Sequence, residues 1–285
     1  MGRKHSIAFV INILIMNIIE ILQFDFVQRA LITGIFVALL CSLLGVFLIL
    51  RRMSLIGDGL SHVSFGAVAL GLSLGLFPTF IALPIVILAS LLINLLNQKT
   101  RYYSDALIGI ISSSGIAFGI IFASISNGFN ADILSYLFGN ILTISTQEML
   151  ASVFLSGLVL AIIYFFYYHL FALTFNEDYA KIAGVKVTFY NQLIALLTGI
   201  SVVVSIKVVG TMLFSALLII PAMASLQISR SFKSTVILSA VIGVISVIIG
   251  IFTSVMLNIP TGGTIVIVNL LFFLIAFSAR QFFKM

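Results

Sequence analysis

Leu50-Arg51-Arg52-Met53-Ser54-Leu55-Ile56-Gly57-Asp58-Gly59-Leu60-Ser61-His62 joins two long apolar runs. The run before it, Val27 to Leu50, stops at the paired arginines. The run after it, about Ile56 to Phe77, carries Asp58 and His62 near its start and stops at Pro78. Apolar segments of roughly 20 residues match helices that cross a bilayer core of about 30 Å. On such a helix Asp58 and His62 stand one turn apart on the same face. Ionisable groups are expensive inside a membrane and face a bundle interior or a water-filled pathway, so a function is the default reading. A carboxylate and an imidazole are also ligands for zinc and neighbouring divalent metals.

Working outward, the composition excludes most other classes. The chain has 285 residues, 62% of them hydrophobic and only 8% charged. A soluble domain carries about a quarter charged residues. The short alternating segments of a β-barrel are absent. The fold class is therefore all-α, a polytopic helical membrane protein without an attached soluble domain. The net charge of +6 sits in short loops, where it sets topology, and implies no nucleic-acid partner. The single cysteine, Cys41, excludes an internal disulfide and a Cys-based zinc cluster, and reads as a small packed residue.

Further runs follow at Thr79–Leu96, Asp105–Ile125, Met149–Tyr168, Asn191–Ile206, Val208–Leu226, Ser234–Leu257 and Thr264–Ser278. This makes about nine core spans. A polar-apolar mixture, Ser126 to Glu148, precedes the fifth, and the loop His169 to Tyr190 follows it. If the Arg51-Arg52 loop is cytoplasmic, Lys99, Arg101, Lys181, Lys186, Arg230, Lys233, Arg280 and Lys284 share its side. Only Arg29 and Lys207 fall opposite, as the positive-inside rule predicts, and the C-terminus is then cytoplasmic. Residues 1–24 form an N-terminal apolar segment that reads equally as an interfacial helix or a tenth span, with Met16 an alternative start. Residues 25–285 form one transmembrane domain.

Four segments together resemble the permease subunit of bacterial ABC transporters that import zinc, manganese or iron. They are Leu50 to His62, running on to Gly66 and Val68-Ala69-Leu70; Leu137-Phe138-Gly139-Asn140-Ile141-Leu142; Asn176-Glu177-Asp178-Tyr179-Ala180-Lys181-Ile182-Ala183-Gly184-Val185; and Val209-Gly210-Thr211-Met212-Leu213 with Leu217 to Ala222. The resemblance runs from about Glu20 to the C-terminus. It implies a second copy of the permease, a cytoplasmic ABC ATPase dimer and an extracytoplasmic metal-binding protein as partners, within the lipid of a bacterial cytoplasmic membrane. The chain contains no G-x-x-x-x-G-K-[ST], so ATP hydrolysis is expected in a partner and this chain is not itself an enzyme. No permanently bound cofactor is expected, only the transported metal.

The resemblance places Asp58 and His62 on the metal pathway; the competing reading is a hydrogen-bonded structural pair. Two ligands per subunit would give four across a symmetric dimer. The affinity order favours zinc, with manganese the runner-up and iron a further alternative. The resemblance also makes His169–Tyr190 the segment that docks on the ATPase. There Asn176 can cap a short helix with Glu177 and Asp178 in its first turn, Tyr179 and Ala180 in its body and Gly184 at its end. Pro221 is expected to kink its span, for packing or for the pathway. Ser112-Ser113-Ser114 should bond their own helix, and Asn130 and Asp132 suggest docking or capping on the outer side. Gly66 continues the Asp58–His62 face and leaves room for an ion or for a neighbouring helix. An ion-coupled carrier using the pair as a relay is the main reading from another class. An intramembrane enzyme is disfavoured, because no H-E-x-x-H or G-x-S-x-G is present.

Overall fold

The computed structural model describes residues 22–99, 104–125 and 131–283, and among them there is no strand. The readings that rest on residues 1–21, Arg101, Asn130 and Lys284, or on the Lys99 and Asp132 side chains, lie outside the described residues. The helices are α1 (Asp25–Leu50), α2 (Leu55–Ser73), α3 (Pro78–Lys99), α4 (Ser104–Ile125), α5 (Ala131–Phe138), α6 (Thr146–Phe165), α7 (Tyr167–Phe175), α8 (Glu177–Ile182), α9 (Val187–Val209), α10 (Phe214–Ile228), α11 (Phe232–Leu257) and α12 (Thr261–Phe283). Among the described residues eight helices are long and apolar enough to cross a membrane, and α10 is a shorter apolar helix. Together they correspond to the nine expected core spans, with differences in where some begin and end.

Local backbone chemistry decides where these helices end. α1 closes with Met53 N–H donating to Leu48 O at 2.8 Å and Arg52 N–H to Ile49 O at 2.9 Å, while Arg52 takes φ 57°. This is a Schellman turn with arginine at the left-handed position that glycine usually fills. α2 ends in the same way at Gly75, φ 65°, where Leu76 N–H donates to Gly71 O. The apolar run continues to Phe77, but α2 stops at Ser73 because this turn captures its last carbonyls.

Two connections and one span depart from the sequence reading. Ser126–Glu148 contains α5 and the 3-10 turn Ile141–Thr143. His169–Tyr190 is mostly helical, comprising the rest of α7, all of α8 and the start of α9. The expected span Val208–Leu226 begins only at Phe214, because Val208 and Val209 complete α9 and Gly210 breaks the chain at φ 87°. α10 has 15 residues, about 22 Å of helix against a core of about 30 Å. The stretch ahead of it has its backbone paired with α5: Thr211 N–H donates to Tyr136 O at 3.0 Å and Met212 N–H to Leu137 O at 3.2 Å. Non-helical backbone is tolerated at membrane depth where it is buried in protein, as here, or lines a water-filled cavity. Gly139, Gly210 and Gly262 make the junction, since a Cβ on any of them would strike the opposing backbone.

α2 and α4 pack through small residues. A Cβ on Gly66 would lie 2.6 Å from Gly115 O, and one on Gly115 would lie 2.7 Å from His62 O. The room beside Gly66 is therefore filled by a neighbouring helix. Such close contact substitutes for the hydrophobic drive that lipid does not supply. Also in this part of the chain, Gly71 packs on Pro78 and Gly75 serves the turn that ends α2. In α4, Ser114 Oγ donates to Ile110 O of its own helix at 2.8 Å.

Most of the basic residues among the described ones sort to one end of the bundle. Arg51 meets Asn191 and Glu177 there, Phe47 and Tyr167 both meet Phe232, and Arg280 bonds Gln227. The opposite end holds the Arg29–Thr146 contact and the Lys207–Glu148 ion pair at 3.0 Å, with Lys207 also lying over the Tyr136 ring.

Candidate metal pathway and docking helix

Asp58 lies in the first turn of α2 and His62 one turn further on. His62 Nε2 stands 3.9 Å from Asp58 Oδ2, beyond hydrogen-bonding reach. The Asp58 side chain is 49% exposed and that of His62 19%. The imidazole makes no hydrogen bond among the described residues, so the geometry lacks the contacts of a satisfied structural pair. Both side chains instead leave ligand atoms open on one face.

Asp58 has an orienting partner that the sequence reading missed. Ser215 Oγ donates to Asp58 Oδ1 at 2.9 Å. Ser215 is the second residue of α10, so the positive end of that helix also faces the carboxylate. Gly57 allows the approach, because a Cβ there would lie 3.2 Å from the Phe214 ring. Gly210, two residues into the expected span Val208–Leu226, was the signal in the sequence that the helix begins late, at Phe214. Among the described residues no group of three or more His, Cys, Asp or Glu could hold a metal, so one chain offers the pair alone. Cys41 is buried, with Sγ 3.2 Å from Ser205 Oγ. Pro221 is buried within α10, which continues through it, and Gly45 of α1 packs against the neighbouring Leu218 carbonyl.

At the basic end, α8 forms as its local sequence dictates. Asn176 Oδ1 accepts from Tyr179 N–H at 3.0 Å, Glu177 and Asp178 occupy the first turn, and Gly184 closes the helix at φ 82°. Gly184 N–H donates to Lys181 O and Val185 N–H to Ala180 O, a further Schellman closure. Ala180 is buried, whereas Tyr179 and Ile182 are exposed. α8 is tied to the bundle through Glu177. Arg51 Nη2 donates to Asn191 Oδ1 at 2.7 Å, Asn191 Nδ2 donates to Glu177 Oε1 at 3.3 Å, and Arg51 lies 3.9 Å from Glu177 Oε2. Burial pushes the Arg51 guanidinium below its usual range, and the Glu177 charge pulls it back.

A bundle of apolar spanning helices around an open acid–imidazole pair, with a capped helix at its basic end, is the build of a membrane permease. The chain belongs to the ABC 3 transport family, which matches residues 23–280. It is a permease subunit of that family of bacterial ABC transporters and not itself the ATPase. It is 36% identical over 255 residues to the manganese import system permease protein ScaB of Streptococcus gordonii, covering 90% of this chain and 91% of that one. It is 32% identical over 257 residues to the manganese transport system membrane protein MntC of Listeria monocytogenes, covering 90% and 91%. Its structure is similar to PsaBC from Streptococcus pneumoniae solved in complex with Fab, at a TM-score of 0.84 and 36% identity, over 92% of this chain and 95% of that one.

Proposed function

We propose that this permease carries manganese into the cytoplasm, with Asp58 and His62 as successive ligands on its path. The observation that carries the reading is the pair itself: two ligand side chains one turn apart, open on one face of a spanning helix and not hydrogen-bonded to each other. The expected preference for zinc gives way here, since the similar permeases are named for manganese. The donor chemistry agrees. The face offers oxygen and nitrogen without thiolate, and carboxylate suits manganese. Weak binding also suits a transit site, which must release its ion.

The basic end faces the cytoplasm, and the C-terminus with it. There α8, through Asn176, Glu177, Asp178, Tyr179, Ala180 and Gly184, docks on the ATPase. An extracytoplasmic binding protein delivers metal at the Lys207–Glu148 end. A second copy of the permease brings its own Asp58 and His62, making four ligands. Residues 25–285 act as one permease domain in the bacterial cytoplasmic membrane, and Pro221 shapes the helix that presents Ser215.

The test is total cellular manganese, zinc and iron in a deletion strain complemented with wild type or with Asp58→Asn at matched expression. Manganese restored by wild type alone is the expected result. Restoration of zinc instead would overturn the metal assignment, and equal restoration by both versions would remove the pair from the pathway.

A further inference from the structure

We propose that Arg51 is the positioning residue through which movement of α8 reaches Asp58 and His62. The proposal rests on α8 being the ATPase-docking helix, and goes further by naming the connection. Three parts of the chain meet at this side chain. Arg51 follows α1 directly, Glu177 opens α8, and Asn191 lies in the second turn of α9. The hydrogen bonds Arg51–Asn191 at 2.7 Å and Asn191–Glu177 at 3.3 Å, with Arg51 and Glu177 3.9 Å apart, close a triangle among them. The Arg51 side chain is only 7% exposed and that of Glu177 42%, so solvent screens their 3.9 Å contact in part and the hydrogen bonds through Asn191 carry the tie.

What makes the triangle a connection is the turn that carries Arg51. The hydrogen bonds Arg52 N–H to Ile49 O and Met53 N–H to Leu48 O lock residues 48–53, and Ile56 N–H donates to Met53 O at 3.1 Å. Arg51 is separated from the start of α2 at Leu55 by three residues, Arg52 to Ser54, within this hydrogen-bonded stretch. Asp58 follows one turn later, held at its other oxygen by Ser215. A displacement of α8 therefore pulls on Glu177, then on the guanidinium, then on the first turn of α2, and shifts Asp58 relative to Ser215 and to the second copy. Arginine suits the position because its planar fork can bond Asn191 while lying beside Glu177, which a lysine point charge does not do equally well. A purely structural tie would stabilise the bundle without affecting how many ions move per ATP.

The experiment uses the permease reconstituted in vesicles with its ATPase and binding protein, measuring manganese uptake and ATP hydrolysis together. Arg51→Gln should keep hydrolysis near wild type but move roughly tenfold fewer manganese ions per ATP, with Arg51→Lys falling between the two. An unchanged ratio in Arg51→Gln, or a parallel fall in hydrolysis and uptake, overturns the proposal while leaving the function intact. Failure of the wild-type complex itself to move manganese would instead sink the function. Should Arg51→Gln not fold, spin labels on Lys181→Cys and Leu55→Cys in the otherwise native chain decide. Their separation should stay within about 2 Å when a non-hydrolysable ATP analogue binds, while both move relative to a label on Arg230→Cys. A larger change between the first two sites refutes the connection.

Discussion

Ser215 Oγ donates to Asp58 Oδ1 at 2.9 Å, joining residues 157 positions apart in the chain and setting the N-terminus of α10 against the carboxylate of α2. The bond occupies one carboxylate oxygen and leaves the other toward His62. Partners of this kind orient a metal ligand without touching the metal.

Ser215→Ala should therefore weaken manganese binding by roughly 10-fold with expression unchanged, within the range for loss of an outer partner. The effect should fall on the concentration dependence of uptake more than on its maximum. An unaltered half-saturating concentration in reconstituted vesicles would count against the orienting role.

Asp58→Asn keeps the shape of the side chain and removes its charge. His62→Ala removes an imidazole without a protein hydrogen-bond partner among the described residues. Neither leaves a stranded internal contact of consequence, so thermal stability in detergent should change by less than about 1 kcal/mol equivalent. Manganese uptake should drop at least about tenfold in each. A large loss of stability instead would make the pair structural.

Gly115→Leu should be among the most damaging substitutions in the membrane-spanning part. A Cβ alone would sit 2.7 Å from backbone atoms of Val63 on α2. Overpacking of this sort costs about 1–3 kcal/mol or more. The Gly109→Leu change, where nothing lies within 4 Å, is the matched control. Equal melting temperatures for the two variants would refute the tight α2–α4 seam.

Lys207 and Glu148 form a largely buried ion pair at 3.0 Å at the other end of the bundle. Removing one partner strands the other, at a cost of about 3–5 kcal/mol for a fully buried pair and less here. Glu148→Gln should thus destabilise more than the double change Glu148→Gln/Lys207→Met. Thermal unfolding of the four versions in detergent measures this, and an additive pair of effects would contradict it.

Tyr179 projects from α8 into solvent, so Tyr179→Ala should hardly alter the melting temperature of the isolated permease. Co-purification with the ATPase should fall sharply if α8 is the docking helix. By contrast Asn176→Ala removes the cap accepting from Tyr179 N–H and should loosen α8 itself by about 1 kcal/mol. Undiminished co-purification of both variants would move the docking surface elsewhere.

The sequence by itself determined most of the spans between residues 25 and 283 and the form of α8. A bilayer demands a fixed length of apolar helix, so Val27–Leu50 or Ser234–Leu257 can be read without knowing any neighbour. Asn176 and Gly184 are legible for a related reason: a cap and a left-handed closure involve atoms within a few residues of each other. The Asp58–His62 spacing was equally local. Only the tertiary structure decided that α10 starts late and brings Ser215 to Asp58, that Gly66 meets Gly115 rather than an ion, and that Arg51 closes on Glu177 and Asn191. Those pairings depend on how whole helices pack, and in lipid that packing is set by shape and a few polar contacts rather than by an apolar pattern that every span shares.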